Sequence, residues 1–321
     1  MNQDIYVVIE HLRGQVTDIS YVMLAAARVL ADNNGGDVVG ILLGHNAQML
    51  AKDLSADRVL YIDHPALADF TSDAYQKALT ELLRDEKPRA VLFGNTSIGA
   101  DVASVLSARL GLPLVSSCRS FDADGKFLSQ ICGGKIMVEG DLPGPTVLVT
   151  MIPGGCKPEE GQSVQPPEIT SVSAPTFEDL RVTLVSYIEP EAGDVDISIE
   201  PILISVGRGI QTEDNIELAE ELAEALGGTL CASRPVVDQG WLPTSRLVGK
   251  SGFSVKPKLY LAIGISGAPE HVEGITGSEM IIAINTDPTA PIFECANYGA
   301  EIDLFDLIEV LTENIEEAKA A

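Results

Sequence analysis

Basic residues are scarce in this sequence. Twenty-one lysines and arginines stand against 47 aspartates and glutamates, a formal charge of −26. A surface of that sign repels phosphate backbones and anionic headgroups, which argues against nucleic acid, membrane surfaces and membrane insertion. The five cysteines (Cys118, Cys132, Cys156, Cys231 and Cys295) are scattered, odd in number and without a C-x-x-C pair. Reduced thiols are therefore expected, with neither a disulfide framework nor a zinc site. No apolar run is long enough to span a bilayer, and MNQDIYVVIEH enters a strand without a signal or transit segment, so a cytoplasmic location or a mature matrix form is expected. The G-x-x-x-x-G-K-[ST], H-E-x-x-H and G-x-S-x-G signatures are all missing. Of only four histidines, His11, His45 and His64 fall at or near predicted strand ends and read as surface or turn residues.

What is present is an α/β composition. Hydrophobic residues make up 45% and charged ones 21%, rich in Val, Ile, Leu, Ala and Gly, as in proteins with buried parallel strands. A chain of 321 residues calls for two domains. In the first half, predicted strands Ile5–Ile9, Asp37–Leu43, Arg58–Ile62, Ala90–Phe93 and Leu114–Ser117 alternate with helical patterns. Those helices are Ile19–Asn33 behind an Asp18 cap, Ser72–Arg84 and Ala100–Leu110. Such alternation means βαβ units. Then Phe121–Phe127 reads as a hairpin turn, with strands near Ser129–Val138 and Thr146–Thr150, so an antiparallel edge is expected. Residues 152–180, dense in Pro and Gly, have connector composition. A β-rich stretch, Val182–Tyr187, precedes the acidic Glu189–Asp196.

The second half opens with Ile202–Val206 and Gly207-Arg208-Gly209, followed by a helix over Asn215–Leu226 that Gly227-Gly228 stops. Strands Thr229–Cys231, Leu259–Ile263 and Met280–Ile284 and a closing helix Leu304–Ala318 complete it. The fold class expected is α/β: two doubly wound, mainly parallel-sheet domains. Residues 1–200 form an N-terminal domain with an antiparallel edge and connector, and 201–321 a C-terminal domain.

Every predicted strand of the second half ends in small or polar residues: GRG, then ASRP, then GISGAPEH, then INTDPTAP. In open α/β sheets ligands bind outside the carboxyl ends of strands, so four such ends together form a candidate site. GRG lacks the full G-x-G-x-x-G and is weak alone, although glycines before a helix would offer N–H groups to an anion and Arg208 a fixed cation. The stretch IGISGAPEH strips side chains from a strand end and then places charge and His271 at the tip. A backbone that must approach a ligand would look like this, and so would an ordinary turn.

These motifs in order (GRG, SRP.VD.GW.P, GISGA..H and AIN.DP.APIF) resemble the FAD-binding half of the α subunit of electron transfer flavoproteins. YVVIEH and VLFGNTSIGADVASVLSARL are similar to that subunit's first domain, so the resemblance covers nearly the whole chain. It implies a heterodimer with a β subunit, FAD as cofactor, and electrons carried from acyl-CoA-type dehydrogenases to a quinone oxidoreductase or another acceptor. In bifurcating members the β subunit holds a second FAD and oxidises NADH; in others it holds AMP. A non-redox nucleotide-binding module is the remaining alternative, since this architecture hosts many functions.

The resemblance assigns Arg208 to the FAD diphosphate, and Ser233 and Arg234 to the flavin. Val248, Gly249, Lys250 and Ser251 match the loop passing the isoalloxazine; Ser266, Gly267, Ala268, Pro269, Glu270 and His271 match a second loop. Asn285, Asp303 and Leu304 match the adenosine end. Arg234 on the ring and His271 near C2=O would supply cationic or donor groups where the reduced flavin's negative charge collects. Three departures stand out. Lys250 and Ser251 replace glutamine and threonine, Glu270 replaces a second glutamine, and Asn297 replaces aspartate. Charges of opposite sign at 250 and 270 suggest an ion pair between them beside the flavin.

Overall fold

Successive side chains on a strand leave opposite faces. In β1 (Ile5–Val8), Ile5 and Val7 accordingly join one apolar cluster while Tyr6 and Val8 join another, so helices cover both faces of the sheet. The computed structural model describes residues 2–132, 135–187 and 195–320. The chain divides into two compact units, Met1–Tyr187 and Ile188–Ala321.

Unit 1 continues with α1 (Asp18–Asn34), β2 (Val38–Gly44), β3 (Arg58–Asp63), α2 (Ser72–Glu86), β4 (Ala90–Gly94) and α3 (Gly99–Leu110). After these come β5 (Leu114–Phe121), β6 (Phe127–Ile131), β7 (Ile136–Gly140), β8 (Val147–Met151) and β9 (Glu168–Ser171). Its sheet runs β9-β3-β2-β1-β4-β8-β5-β6-β7. Neighbours are parallel from β9 to β5, and β6 and β7 form the expected antiparallel edge.

Several expectations need correction. The helix expected behind an Asp18 cap starts at Asp18 itself. Thr17 is the extended residue before it, and its hydroxyl donates to the Glu10 carbonyl, 3.2 Å away. The strand read across Ser129–Val138 is two strands folded on each other, Ile131 facing Ile136. Alternating apolar residues do not reveal where a chain reverses. The connector contains β9, which closes the far edge beside β3. Pro166 and Pro167 sit just before it, where a missing N–H costs an edge strand little. Val182–Tyr187 is β-rich but forms no strand; the Tyr187 hydroxyl donates to Asp69 at 2.7 Å instead. Most of the acidic stretch Glu189–Asp196 lies outside the described residues.

Unit 2 comprises β10 (Ile202–Val206), α4 (Ile216–Leu226), β11 (Thr229–Ala232), α5 (Arg234–Asp238) and β12 (Leu259–Ile263). Then follow α6 (Pro269–Val272), β13 (Ile281–Asn285), α7 (Ile292–Cys295), β14 (Tyr298–Glu301) and α8 (Leu304–Ala320). The sheet is parallel throughout, in the order β11-β10-β12-β13-β14. β14 is a fifth strand where four were expected. The helix expected from Asn215 begins at Ile216 after a tight turn over Glu213–Asn215. It buries Ile216, Ala219, Leu222 and Ala223 and ends at Gly227, whose φ of 67° only glycine adopts freely. No helix among the described residues is long and apolar enough to cross a membrane.

Candidate functional site

The order of unit 2's sheet places its switch point between β10 and β12, because β11 lies on one side of β10 and β12, next in the chain, lies on the other. Loops after neighbouring strands diverge there and leave a crevice at their carboxyl ends. GRG follows β10 and GISGAPEH follows β12, so the structure brings these two motifs together.

Their glycines serve close backbone approach. A Cβ on Gly209 would lie 2.7 Å from the Gly264 Cα, and one on Gly207 would collide with the Gly264 carbonyl. Gly264 itself has φ 63°. The N–H groups of Gly207 and Gly209 donate to the carbonyls of Ile263 and Gly264, at 2.8 and 3.1 Å. This corrects the expectation that these glycines offer their N–H groups to an anion, since both donors are already used inside the protein. The motif also leads into a single tight turn, Arg208–Ile210, rather than directly into a helix. Arg208 is exposed at this rim. A pocket beside it is lined by Gly209, Gln211, Gly264, Asn285, Asp303 and Leu304, among others. The Asn285 side chain joins two of its loops: Nδ2 donates to the Ile265 carbonyl at 2.9 Å, and Oδ1 accepts from Asp287 N–H at 2.9 Å.

A second cluster forms around α5 and α6. Ser233 is buried at the start of α5, and its N–H donates to Val206 O at 3.0 Å. The exposed Arg234 guanidinium donates to Ser251 Oγ at 3.1 Å and lies 3.4 Å from Asp238 Oδ2. The Val248–Ser251 loop is pinned against the GISGAPEH loop, for the Lys250 N–H donates to Glu270 O at 2.7 Å. A Cβ on Gly249 would lie 2.8 Å from that same carbonyl. On the other side, Gly267 (φ 84°) leaves no room for a side chain against the Ile292 backbone, and the Ser266 carbonyl accepts the Ile292 N–H at 3.0 Å.

The expected Lys250–Glu270 ion pair does not form. Lys250 Nζ lies 3.9 Å from Glu273 Oε2, one helical turn beyond Glu270, and the contact to Glu270 is made by backbone. Burial raises the pKa of Glu273, partly offset by Lys250, while Glu270 raises it further.

His271 is 6% exposed and faces inward. Its Nε2 lies 2.9 Å from the hydroxyl of Tyr260, which is fully buried on β12. Its Nδ1 is buried with no hydrogen-bond partner. Burial lowers the His271 pKa to about 4, opposed by the backbone of Val248, so the ring is uncharged at neutral pH. Among the other histidines, His45 and His64 keep their exposed or turn roles, but His11 is buried, with Nε2 2.6 Å from the Leu43 carbonyl.

Gln211, Thr286 and Tyr260 were not singled out from sequence. Thr286 lies inside a motif already noted; Gln211, at φ 71°, and Tyr260, in mid-strand, carry no local signal. A wider groove between α4 and α8 is lined by Glu221, Glu224, Glu309, Glu313 and Glu316. Five carboxylates there would repel an anionic cofactor.

Comparison with known proteins identifies the family. Residues 5–177 match the electron transfer flavoprotein domain, and residues 196–276 match the electron transfer flavoprotein FAD-binding domain. The chain belongs to the electron transfer flavoproteins. It is 37% identical to the electron transfer flavoprotein subunit alpha of Thermoanaerobacterium thermosaccharolyticum, covering 99% of both chains. It is also 37% identical to the acryloyl-CoA reductase electron transfer subunit beta of Anaerotignum propionicum, covering 99% of this chain and 97% of the other. Protein FixB of Clostridium saccharobutylicum is 36% identical over 98% and 96%. As an electron transfer flavoprotein the chain uses FAD, and the structure suits that cofactor. A crevice opens at the switch point, glycine-walled loops border it, and a buried nitrogen of His271 lacks a partner.

Proposed function

We propose that this electron transfer flavoprotein is the α subunit of a heterodimer with a β subunit, drawing electrons from an acyl-CoA-type dehydrogenase and delivering them to a quinone oxidoreductase or another acceptor. FAD supplies a ring that takes up and releases electrons one at a time. The carboxyl ends of unit 2's strands support seating it there, and the observation that carries the reading is the convergence of the GRG, SRP, Val248–Ser251 and GISGAPEH loops on that edge. Arg208 would meet the diphosphate, and Asn285, Asp303 and Leu304 the adenosine end, where they line the pocket. Ser233, Arg234 and the Val248–Ser251 loop would hold the isoalloxazine. Ser266, Gly267, Ala268, Pro269, Glu270 and His271 would border its pyrimidine edge. Arg234, steadied by Ser251 and Asp238, places a positive charge that favours the electron-rich ring. We take unit 2 as the FAD domain and unit 1 as its companion; the expected start at 201 moves back, since Ile197 is buried in the core of unit 2.

A second reading makes the heterodimer an NADH-oxidising, bifurcating complex. The Anaerotignum relative is by name an electron transfer subunit of acryloyl-CoA reductase, which is compatible with either reading. Co-expression with the β subunit and a count of flavins per heterodimer tests both: one FAD indicates the simple carrier, two the bifurcating form. A colourless heterodimer would overturn both.

A further inference from the structure

Tyr260 and His271, the last residue of GISGAPEH, form a buried pair, and donor counting favours one placement of their protons. Tyr260, Cys231 and Ser205 share one face of the sheet and are fully buried. The Tyr260 hydroxyl has one proton and three neighbouring acceptors. Ser205 Oγ lacks a hydrogen-bond partner, and the Cys231 thiol, whose pKa burial pushes up to about 12, is a weak acceptor. The imidazole Nε2 at 2.9 Å is the strong one. Val248 donates its N–H to the Ala232 carbonyl at 2.9 Å, so the Val248 backbone group that favours a protonated ring is its carbonyl. Because Nε2 faces Tyr260, the proton this acceptor favours is one on Nδ1, which makes no hydrogen bond. The opposite tautomer would give that carbonyl no proton to face and leave the tyrosine proton to the Ser205 hydroxyl or the Cys231 sulfur.

We propose that Tyr260 is a positioning residue: it donates to Nε2 of His271, fixes the uncharged tautomer with its proton on Nδ1, and so gives the site a neutral N–H donor for a carbonyl oxygen of the flavin pyrimidine ring. This rests on the reading that FAD is seated in unit 2. A buried N–H without a partner is costly, and a ligand carbonyl relieves that cost without introducing a buried charge.

Nitrogen-15 NMR of histidine-labelled full-length protein tests it, with the flavin first removed and then restored, and with His271 assigned by the loss of its signals in His271→Gln. At neutral pH the wild type should show protonated Nδ1 and bare Nε2, and Tyr260→Phe should move the proton partly or wholly to Nε2. With FAD restored, Tyr260→Phe should weaken cofactor binding about threefold to tenfold and shift the flavin potential. A proton on Nε2 in the wild type overturns the proposal, as does a Tyr260→Phe variant that keeps the Nδ1 tautomer. If the tautomer is as stated but His271→Leu, which has no donor, leaves FAD affinity and potential unchanged, the donor role is overturned, and with it the seating of the pyrimidine ring at His271. The tautomer assignment, read without flavin, stands or falls separately.

Discussion

The two sheets of this chain treat their switch points in opposite ways. In unit 1 the strands β2 and β3 lie to one side of β1, and β4, next in the chain, lies on the other, so the crevice rule points to the ends of β1 and β4. That place is filled from within. The carboxylate of Glu10, just past β1, lies against Gly94 and Gly99, and a Cβ on Gly99 would sit 2.7 Å from its Oε1. The Thr96 hydroxyl donates to the carboxylate, 2.9 Å from each oxygen, and accepts the Gly99 N–H at the start of α3 at 3.0 Å. In unit 2 the corresponding loops carry glycines packed on glycines, and a pocket opens beside them. Topology marks where a ligand can sit. A single side chain decides whether the place is taken.

Breaking the open edge should have the largest effect. Gly207→Ala puts a methyl group into the Gly264 backbone, which cannot yield as a flexible side chain would. We expect a loss of about 3 kcal/mol in the stability of unit 2 together with loss of FAD. Denaturant unfolding should show the unit 1 transition unmoved; an unchanged unit 2 would refute the tight-loop account.

The closed edge should be sharpest in its pH dependence. Burial raises Glu10 to about 7, with Thr96 and the Gly94 backbone opposing. A raised carboxyl pKa gives stability that is full below the unfolded value and is lost as pH rises through the folded one. From pH 5 to pH 8 the wild type should therefore lose about 2–3 kcal/mol from this group. Glu10→Gln should flatten that slope and be the more stable protein at pH 8. His271 works the other way. Its pKa is depressed to about 4, so its contribution is full above the unfolded value of 6.5 and falls as pH drops through the folded one. Acidification from pH 7 to pH 5 should cost about 2 kcal/mol in the wild type, and His271→Gln should abolish that loss. The two groups thus oppose each other between about pH 4.5 and 6.5, which the single variants separate in melting curves.

Smaller effects probe the rim of the open site. Arg234→Ala should lower the flavin potential by the equivalent of about 1 kcal/mol, measured by redox titration. Its effect on folding should be slight, because the Asp238 pair is exposed. Smallest is Lys250→Gln. With Nζ 3.9 Å from Glu273 Oε2 and partly exposed, the pair should contribute less than about 0.5 kcal/mol and leave the potential almost unmoved. A large shift would return Lys250 to the flavin.

The repeating βαβ elements were legible because long buried strands and amphipathic helices write their period into sequence: Ile202–Val206 and Leu259–Ile263 fall where expected. β9 and β14 were not. Each is a four-residue, largely exposed edge strand, created by pairing with a neighbour rather than by its own composition. The candidate site was legible as loops, since glycine, proline and polar residues cluster at strand ends. Its pairings were not. Nothing local says that Lys250 reaches Glu273 instead of Glu270, because that depends on where α6 turns. Nor does sequence spacing join His271 to Tyr260, whose strand position looks like plain core.

The place of β8 bears on how the chain acquires its form. β8 lies between β4 and β5, Val147 facing Ala90 and Leu148 facing Leu114, yet it is made after both and after the β6–β7 hairpin. Before it emerges, the facing edges of β4 and β5 would have no strand partner, and the two halves of the sheet would be joined only through the helices packed on them. A central strand inserted late is a long-range closure, slow by its topology, and it leaves hydrophobic edges open to other nascent chains meanwhile. The assembly of unit 1 is thus gated by the emergence of one short segment, Val147–Met151.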